Sequence, residues 1–198
     1  MGPHKIRMML KKEVQNAQRR FKRQRRRNLL AQPGVHQMVV VLDHLKPSYN
    51  VGKIFRSAEA FGALRVDLVG IDYFDPAPGM GAFKHVPAAF HGDFDACHDR
   101  LMETGHTPVI LEPERGEPLI GCTLPEKSAF VLGHEAFGIS FDPDRYSGVM
   151  RVAIPQFGKV QSLNVSIAAS IVMYEYVRQH AKNTENILSL SAHGAGPS

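Results

Sequence analysis

The amino-acid sequence predicts an open α/β fold in which helices cover both faces of a mainly parallel sheet. Five short runs are rich in Val, Ile, Leu and Phe and too apolar to leave one face in water, which is typical of strands buried in a parallel sheet. Segments of helical length separate them, and this alternation favours strand–helix–strand units. The predicted strands are 38–42, 66–69, 108–111, 129–132 and 149–154, and the predicted helices are 51–62, 94–104 and 163–179.

Length and composition narrow the class of protein. The chain has 198 residues, 43% of them hydrophobic, which is enough for one domain with a substantial core. No apolar run approaches the ~20 residues that cross a bilayer, so we expect no membrane-spanning segment. Cys97 and Cys122 lie outside any CxxC pattern, which favours a reducing, cytoplasmic location. Residues 1–27 lack the apolar core of a secretory leader, and we expect them to be retained.

The positive charge is concentrated near the N-terminus. The net charge is +5, but residues 5–27 hold eleven Lys or Arg and one acid, so the rest of the chain carries −5. Such a segment is typical of nucleic-acid-binding arms, although a solvated tail without a specific partner has the same composition. Because no apolar face is evident, RNA or DNA is favoured over a lipid surface. The arginines assigned to nucleic-acid binding are Arg19, Arg20, Arg23, Arg25, Arg26 and Arg27.

Three loops that follow predicted strands have unusual sequences. Ligands of open α/β sheets bind outside the carboxyl ends of the strands, so these loops are candidate site segments. The first spans residues 50–56, and the second, 132–138, places an acid between two glycines. The third, 154–166, contains Pro155 and Gly158 and ends in small polar residues at a helix start.

Each polar residue of the first two loops has two interpretations. Arg56 lies opposite the apolar stripe of its helix. There it either binds a phosphate or pairs with Glu59 on a solvent-exposed face. Asn50 is either a site residue or an N-cap. Glu135 either orients catalytic groups or stabilises its loop or a helix end.

The third loop leads into a helix that is apolar on nearly every side. Ser162 and Asn164 stand at its start, either as site residues or as caps. A helix like 165–177 must be buried on more than one face. A second subunit of a homodimer supplies that cover in one interpretation, and the interior of one large domain supplies it in the other.

Several common chemistries lack their motifs. The segment 79–81 has neither a preceding strand nor the third glycine of a dinucleotide fingerprint, and the GK[ST] of a phosphate-binding loop is absent. The ten histidines contain no HExxH, and we predict no metal. Neither cysteine has basic neighbours in sequence, so we expect both thiols to be inert.

Together, the three loops resemble the motifs of the SpoU/TrmH family. These proteins are S-adenosylmethionine-dependent RNA 2′-O-ribose methyltransferases of the SPOUT superfamily. The resemblance runs from about residue 39 to residue 179. In order along the chain, the matching patterns are Asn50-x-Gly52-x3-Arg56, Leu132-Gly133-x-Glu135-x2-Gly138 and Ile154-Pro155-x2-Gly158-x3-Ser162-Leu163-Asn164.

The resemblance implies a C-terminal trefoil knot, an obligate homodimer and S-adenosylmethionine held in the knot largely by backbone groups. The apolar pattern by itself does not predict a knot. The positions that match the family's cofactor-binding residues are Leu132, Gly133, Ile154, Gln156 and Leu163. The positions that match its catalytic or substrate-positioning residues are Asn50, Arg56, Glu135, Ser162 and Asn164. Many relatives have Met where this chain has Gln156.

The implied reaction is attack of a ribose 2′-oxygen on the sulfonium methyl group, in which alignment supplies much of the acceleration. Because a guanidinium keeps its proton at physiological pH, we assign Arg56 phosphate clamping first and a role as general base second. The third motif is closer to the tRNA-modifying relatives, which favours tRNA as the partner. Methylation of rRNA and a non-catalytic RNA-binding protein that kept the fold are the alternatives.

A division of the chain follows from the charge and from the resemblance. We expect a basic RNA-binding extension over residues 1–34, a SPOUT methyltransferase domain over 35–182 and a flexible C-terminal tail over 183–198.

Overall fold

The computed structural model describes residues 3–46, 49–159 and 162–181, so the tail predicted at 183–198 lies outside the described residues. The strands are β1 (Val39–Asp43), β2 (Arg65–Val69), β3 (Ala88–His91), β4 (Thr107–Leu111), β5 (Glu117–Pro118), β6 (Ser128–Leu132) and β7 (Met150–Ala153). The helices are α1 (Pro3–Asn28), α2 (Tyr49–Ala60), α3 (Phe94–Glu103) and α4 (Val165–His180). Within these ranges no helix combines the length and the apolar character that a bilayer span requires.

All seven strands form one sheet in the order β3-β2-β1-β6-β4-β7-β5. Every neighbouring pair is parallel, which confirms the predicted fold class. The chain extends the sheet from β1 through β2 to β3 on one side, and then returns to build the other side. The order reverses at the β1–β6 boundary, and ligand sites of such sheets lie outside the carboxyl ends of the strands near such a point.

Helices cover both faces of the sheet, as predicted. Alternate residues of β1 point to opposite sides, so Val40 and Leu42 join the core under α2 and α4, whereas Val39 and Val41 join the core under α3. All five residues in each of β1, β2 and β6 are buried, which explains why these sequences are mostly apolar. The two charged residues of β2, Arg65 and Asp67, are buried as an ion pair.

Three elements were not predicted from the sequence. The strands β3 and β5 lie at the two edges of the sheet and are short and incompletely buried, so their apolar signal is weak. The long helix α1 falls in the basic segment. Between residues 4 and 28 that segment has no Gly or Pro and is rich in Lys, Arg, Gln and Met, which are good helix formers.

The C-terminal half of α1 packs against the body of the domain. The Phe21 ring lies 5.3 Å from the Phe74 ring and 5.6 Å from the Phe83 ring, measured between centroids. Asn28 is buried, and its Nδ2 donates to the carbonyls of Phe83 and Val86, each at 2.6 Å. The expectation that this segment lacks an apolar face was therefore wrong, because Phe21 presents one to the domain.

The six predicted RNA-binding arginines divide into two groups. Arg20 forms a two-pronged ion pair with Asp75, with Nη2 at 2.9 Å from Oδ2 and Nε at 3.2 Å from Oδ1. The guanidinium of Arg25 lies over the Phe90 ring, 3.9 Å from its centroid. These two hold α1 to the domain. The other four are exposed: Arg19, Arg23, Arg26 and Arg27.

Residues 72–87 connect β2 to β3 along the chain and pack between α1 and α2 in space. Asp75 of this segment takes the ion pair from α1, and Gly79 packs directly on Gly52 of α2. A Cβ built on Gly79 would lie 2.6 Å from the carbonyl oxygen of Gly52, so the contact is between two backbones.

Candidate active site

A cavity of about 550 Å³ lies at the carboxyl ends of β6, β4 and β7. Its volume is in the range of small-molecule binding sites. These strands are parallel neighbours, so the loops that follow them meet at one edge of the sheet. All five residues expected to bind the cofactor line the cavity: Leu132, Gly133, Ile154, Gln156 and Leu163.

Three of the residues assigned to catalysis form a hydrogen-bonded chain at the mouth of this cavity. Asn50 Nδ2 donates to Glu135 Oε1 at 2.7 Å, and Asn164 Nδ2 donates to Asn50 Oδ1 at 3.3 Å. Glu135 and Asn164 also line the cavity. The three side chains come from separate segments, since 85 residues separate Asn50 from Glu135 and 114 separate Asn50 from Asn164. The predicted convergence of the three loops is therefore present for these residues.

The structure shows what the side chain of each asparagine contacts. Helix α2 begins at Tyr49, so Asn50 lies inside the first turn, and its side chain bonds to Glu135 and Asn164. Asn164 is the N-cap of α4, because its Oδ1 accepts from the backbone N–H of Ser166 at 2.9 Å. Its Nδ2 remains available to Asn50. Asn164 thus caps α4 through its Oδ1 and contacts Asn50 through its Nδ2.

Glu135 is a partly exposed carboxylate held in its charged form. Burial raises its pKa, but the hydrogen bond from Asn50, the backbone amides of Glu135 and Lys46 and the neighbouring His134 outweigh burial and lower the pKa below its ordinary value. Glu135 is consequently ionised at neutral pH. An ionised carboxylate here is a strong acceptor that orients the Asn50 amide.

The loop that carries Glu135 is closed by its glycines. The backbone groups of His134 and Gly138 bond to each other in both directions, at 2.7 and 2.8 Å. A Cβ at Gly133 would lie 2.3 Å from the carbonyl carbon of Gly138, and Gly138 has φ +71°. Only glycine allows this close approach of backbones at position 133. The result is a tight turn with Glu135 at its tip.

Arg56 and Ser162 lie apart from the hydrogen-bonded chain. Arg56 is exposed on α2, does not line the cavity, and forms no salt bridge with Glu59 or any other residue of the described part of the chain. The expected alternative of a pair with Glu59 is therefore not what the structure shows. Ser162 is exposed and lines the cavity.

The polar groups of the cavity fit S-adenosylmethionine, the cofactor that the resemblance implies. The Oε1 atom of Gln156 is buried and has no hydrogen-bond partner in the described structure. A buried acceptor of this kind needs a donor, and an amino or ammonium group of a ligand supplies one. Glu112 adds a half-buried carboxylate to the same wall, beside a lining that is otherwise mostly apolar.

Two acids of this region were missed by sequence reasoning. Asp43, the last residue of β1, accepts from Ser140 Oγ at 2.8 Å and from the backbone N–H of Ser140 at 2.5 Å, which ties the second loop to the strand. Glu112 follows β4 directly. Both are acids at the carboxyl end of a buried strand. That position is the signal that would have found them.

A second buried polar cluster lies away from the cavity. Ligand atoms of Asp67, His91 and Cys97 lie within 4.8 Å of one another. Arg65 donates through Nε to both oxygens of Asp67, at 2.9 and 3.1 Å, so a guanidinium already neutralises that carboxylate. Burial raises the pKa of the Cys97 thiol. This environment keeps the thiol protonated, in agreement with the expectation of an inert cysteine.

Comparisons with known proteins agree with this geometry. A model of the SpoU rRNA Methylase family matches residues 37–174. A tRNA (guanosine(18)-2′-O)-methyltransferase of Thermus thermophilus is 30% identical over 152 residues, which cover 73% of this chain and 76% of the relative. A 23S rRNA (guanosine-2′-O-)-methyltransferase of Nitrosomonas europaea is 31% identical over 160 residues, which cover 78% of this chain and 61% of the relative.

Solved structures share the fold. The AdoMet-bound rRNA methyltransferase from Sinorhizobium meliloti matches with a TM-score of 0.65 and 25% identity over 78% of this chain and 60% of its own. The TrmH/SpoU tRNA modifying enzyme of A. aeolicus matches with a TM-score of 0.67 and 22% identity over 87% of this chain and 94% of its own. The second of these shows the fold alone.

Several curated relatives are considerably longer than the part that this chain matches. Three described as uncharacterized tRNA/rRNA methyltransferases are covered over 45%, 38% and 64% of their lengths. The shared region contains the cavity, the three loops and the chain of Asn50, Glu135 and Asn164. With the family model matched across that whole region, this chain belongs to the SpoU rRNA Methylase family.

Proposed function

We propose that this protein is an S-adenosylmethionine-dependent RNA methyltransferase that transfers a methyl group to a ribose 2′-hydroxyl. The observation that carries the proposal is the hydrogen-bonded chain of Asn50, Glu135 and Asn164 at the mouth of a cavity of about 550 Å³. Two relatives of known name, from Thermus thermophilus and Nitrosomonas europaea, are 2′-O-methyltransferases, and both support it.

The residues of the cavity divide the work between cofactor and ribose. Bound S-adenosylmethionine supplies a methyl group already activated on sulfur. Gly133, Ile154 and Leu163, which line the cavity, would hold the cofactor, and the unpartnered Oε1 of Gln156 would accept a hydrogen bond from one of its amino groups. Asn50 lies at the junction, because it bonds to both other polar side chains of the mouth.

The polar side chains of the mouth align the nucleophile. As the bond between the ribose oxygen and the methyl carbon forms, the sulfur–methyl bond breaks, S-adenosylhomocysteine leaves and the hydroxyl proton passes to water at the exposed mouth. Glu135 is too weak a base for a ribose hydroxyl, since its pKa is lowered. Its charge instead fixes the Asn50 amide, which together with Asn164 orients the hydroxyl toward the methyl group. Arg56, exposed on the same helix as Asn50, binds the RNA phosphate next to the target ribose.

We further propose tRNA as the substrate, with rRNA as the competing one. The exposed arginines of α1 (Arg19, Arg23, Arg26 and Arg27) supply the phosphate contacts that a folded RNA needs. Relatives that act on each RNA class are similar to this chain to nearly the same degree, 30% and 31%. A cytoplasmic setting, where such RNAs are modified, fits the two free cysteines.

The uncovered side of α4 supports a homodimer. Ile167 is 52% exposed and Tyr174 is 60% exposed, and Ile171 lies between them at helical spacing. These three residues form an apolar stripe, of which a single copy leaves Ile167 and Tyr174 largely in water while Ile171 is half-buried. A second copy covers the stripe by the two-fold contact that homodimers use. Light scattering that gives the mass of one chain at micromolar concentration contradicts this part of the proposal.

The experiment that tests the function is incubation with radiolabelled S-adenosylmethionine and separate pools of unmodified tRNA and rRNA. Alkaline hydrolysis then leaves a labelled dinucleotide wherever a ribose 2′-oxygen carries the methyl group. We expect label in alkali-resistant dinucleotides from the tRNA pool, and label from rRNA alone reassigns the substrate. Cofactor binding by calorimetry without transfer to either pool favours a non-catalytic RNA-binding protein. Label on a base contradicts the proposal.

A further inference from the structure

Phe137 is an exposed aromatic ring on the lip of the cavity. It is 84% exposed, yet it belongs to the residues that line the cavity. It stands two residues after Glu135, in the same tight turn. Single exposed apolar residues are common, but this ring lies on the rim of a ligand-sized cavity, where it is placed to contact a molecule that approaches the site.

The ring is held in place before any partner arrives. The imidazole of His134 stacks on it, with centroids 4.8 Å apart and planes inclined by 28°. His134 is itself fixed, because its Nδ1 accepts from the backbone N–H of Ala136 at 3.0 Å and its backbone bonds twice to Gly138. A ring positioned in this way binds a flat partner with little loss of side-chain entropy.

From this geometry we propose that Phe137 stacks on the base of the nucleotide whose ribose is methylated, and so positions that nucleotide. The inference rests on the proposed function. Unpaired bases of RNA are commonly stacked on aromatic side chains, and any base offers a suitable face. The base is joined to the ribose that must reach Asn50 and Asn164, so a stack two residues from Glu135 orients the sugar as well.

Two other occupants fit the surroundings less well. A second protein copy requires a continuous apolar surface, but the exposed residues that share the cavity lining with Phe137 include the polar Glu135, Ser162 and Asn164. The apolar stripe of Ile167, Ile171 and Tyr174 on α4 is the better surface for such a copy. The cofactor requires enclosure, and a ring that is 84% exposed lies mostly outside the cavity.

The test compares Phe137→Leu, Phe137→Tyr and a control, Ile120→Ala. Leucine keeps the apolar surface but lacks an aromatic face, whereas tyrosine keeps the face. Ile120 is 75% exposed, does not line the cavity and lies outside the three loops, which makes it a control for the loss of an exposed apolar side chain. For each protein, kcat and KM for RNA, the calorimetric Kd for S-adenosylmethionine and the mass by light scattering are measured. The wild-type protein is also irradiated with ultraviolet light in the presence of RNA, and nucleotide adducts are mapped by mass spectrometry.

We expect Phe137→Leu to lower kcat/KM for RNA roughly 5- to 150-fold, the loss typical of one base–aromatic stack. Phe137→Tyr and Ile120→Ala retain wild-type values, cofactor affinity and mass stay unchanged, and the adduct maps to Phe137. Wild-type kinetics in Phe137→Leu overturn the proposal, as does an equal loss in Ile120→Ala. Weaker cofactor binding assigns the ring to the cofactor, and a lower mass assigns it to a second copy.

Failure of the proposed function gives a different result from failure of this inference. If the wild-type protein labels neither RNA pool, the proposed enzymatic function fails, and the photochemical adduct alone decides the stacking. An adduct at Phe137 then supports a base-stacking ring on an RNA-binding protein, and its absence overturns the inference.

Discussion

Asn164 shows how one side chain serves both the fold and the site. Its Oδ1 caps α4 through Ser166, while its Nδ2 reaches Asn50, which in turn holds Glu135. Removing the Asn164 amide would therefore weaken the start of a helix as well as the site. Asn50 has no capping duty, so substitutions at that residue separate the chemistry from the fold.

Asn50→Ala should raise the pKa of Glu135 and slow methyl transfer. The variant lacks the donor that lowers the Glu135 pKa below 4.5, so the pKa moves up toward that value. In the wild-type protein the hydrogen bond between Asn50 and Glu135 stabilises the fold at pH values above the pKa of a free Glu side chain. This stabilisation is lost as the pH falls through the lowered pKa of Glu135. NMR titration of the Glu135 carboxyl carbon measures the shift, with Lys53→Ala on the same helix as control.

The kinetic effect of Asn50→Ala should appear in kcat. Misplacement of a reacting group by about 1 Å costs on the order of 100-fold, so we expect a loss of roughly 10- to 100-fold at saturating S-adenosylmethionine. The calorimetric affinity for the cofactor should not change. Wild-type kcat with an unshifted carboxyl titration would show that the hydrogen-bonded chain has no role.

Arg56→Lys should separate RNA binding from turnover. A lysine keeps the positive charge of an exposed site but loses the two-pronged guanidinium. We expect kcat to fall roughly 10- to 100-fold, because the phosphate is held but not aligned. RNA affinity, measured by filter binding, should change little. Equal losses in kcat and in affinity, or no loss in either, would contradict a clamping role for Arg56.

At the scale of elements, α1 is half attached and half free. Its C-terminal half is held by Phe21, Arg20, Arg25 and Asn28, whereas the described side chains between residues 5 and 16 are exposed. An isolated helix in water gains little from its own hydrogen bonds, so docking supplies most of its stability. Loss of these contacts should therefore release α1 from the domain without unfolding the sheet.

Phe21→Ala should detach α1. The half-buried ring contacts Phe74 and Phe83, and its removal should cost about 2–3 kcal/mol of docking free energy, less than for a fully buried phenylalanine. Amide hydrogen exchange should accelerate over residues 17–28, while S-adenosylmethionine binding is retained. Met8→Ala, in the exposed half, serves as the control and should leave exchange unchanged. Equal protection in Phe21→Ala and wild type would show that the aromatic contact does not hold the helix.

The sequence predicted the central elements well and the peripheral ones poorly. The strands β1, β2, β4, β6 and β7 were found because each is mostly apolar, and β1, β2 and β6 are buried along their whole length. Edge strand β3 and helix α1 were missed, since half-buried residues give a weak pattern and a run of arginines hides the single ring of Phe21. The hydrogen bond from Asn50 to Glu135 joins residues 85 apart, which no local pattern records.

At the scale of the whole molecule, charge is divided between helix and body. The segment 5–27 carries +10 and the rest of the chain −5, so the two parts act differently on a polyanion. Deleting this segment would remove its charge but also Phe21, which covers Phe74 and Phe83. The charge is tested cleanly only by substitution of the exposed arginines.

Replacing the exposed arginines Arg19, Arg23, Arg26 and Arg27 by Gln should weaken RNA binding and its salt dependence. Each lost phosphate contact removes roughly 0.7–0.9 from the slope of log K against log salt, so the slope should become shallower by up to about 3. Filter binding over a range of salt concentrations measures it, and the cofactor affinity should be retained. The same slope in the variant and the wild-type protein would show that these arginines do not contact RNA.

The contact between Gly52 and Gly79 sets a distance. Two backbones touch there, so α2 lies as close as it can to the segment that holds α1. Any residue with a side chain at either position would push the two apart. The contact therefore helps to fix the distance between the basic helix α1 and the candidate ribose site. Under the proposed function, we expect an RNA bound at α1 to present to the ribose site a nucleotide that lies one fixed interval away, so that the protein's own dimensions help to choose which position along the RNA is modified.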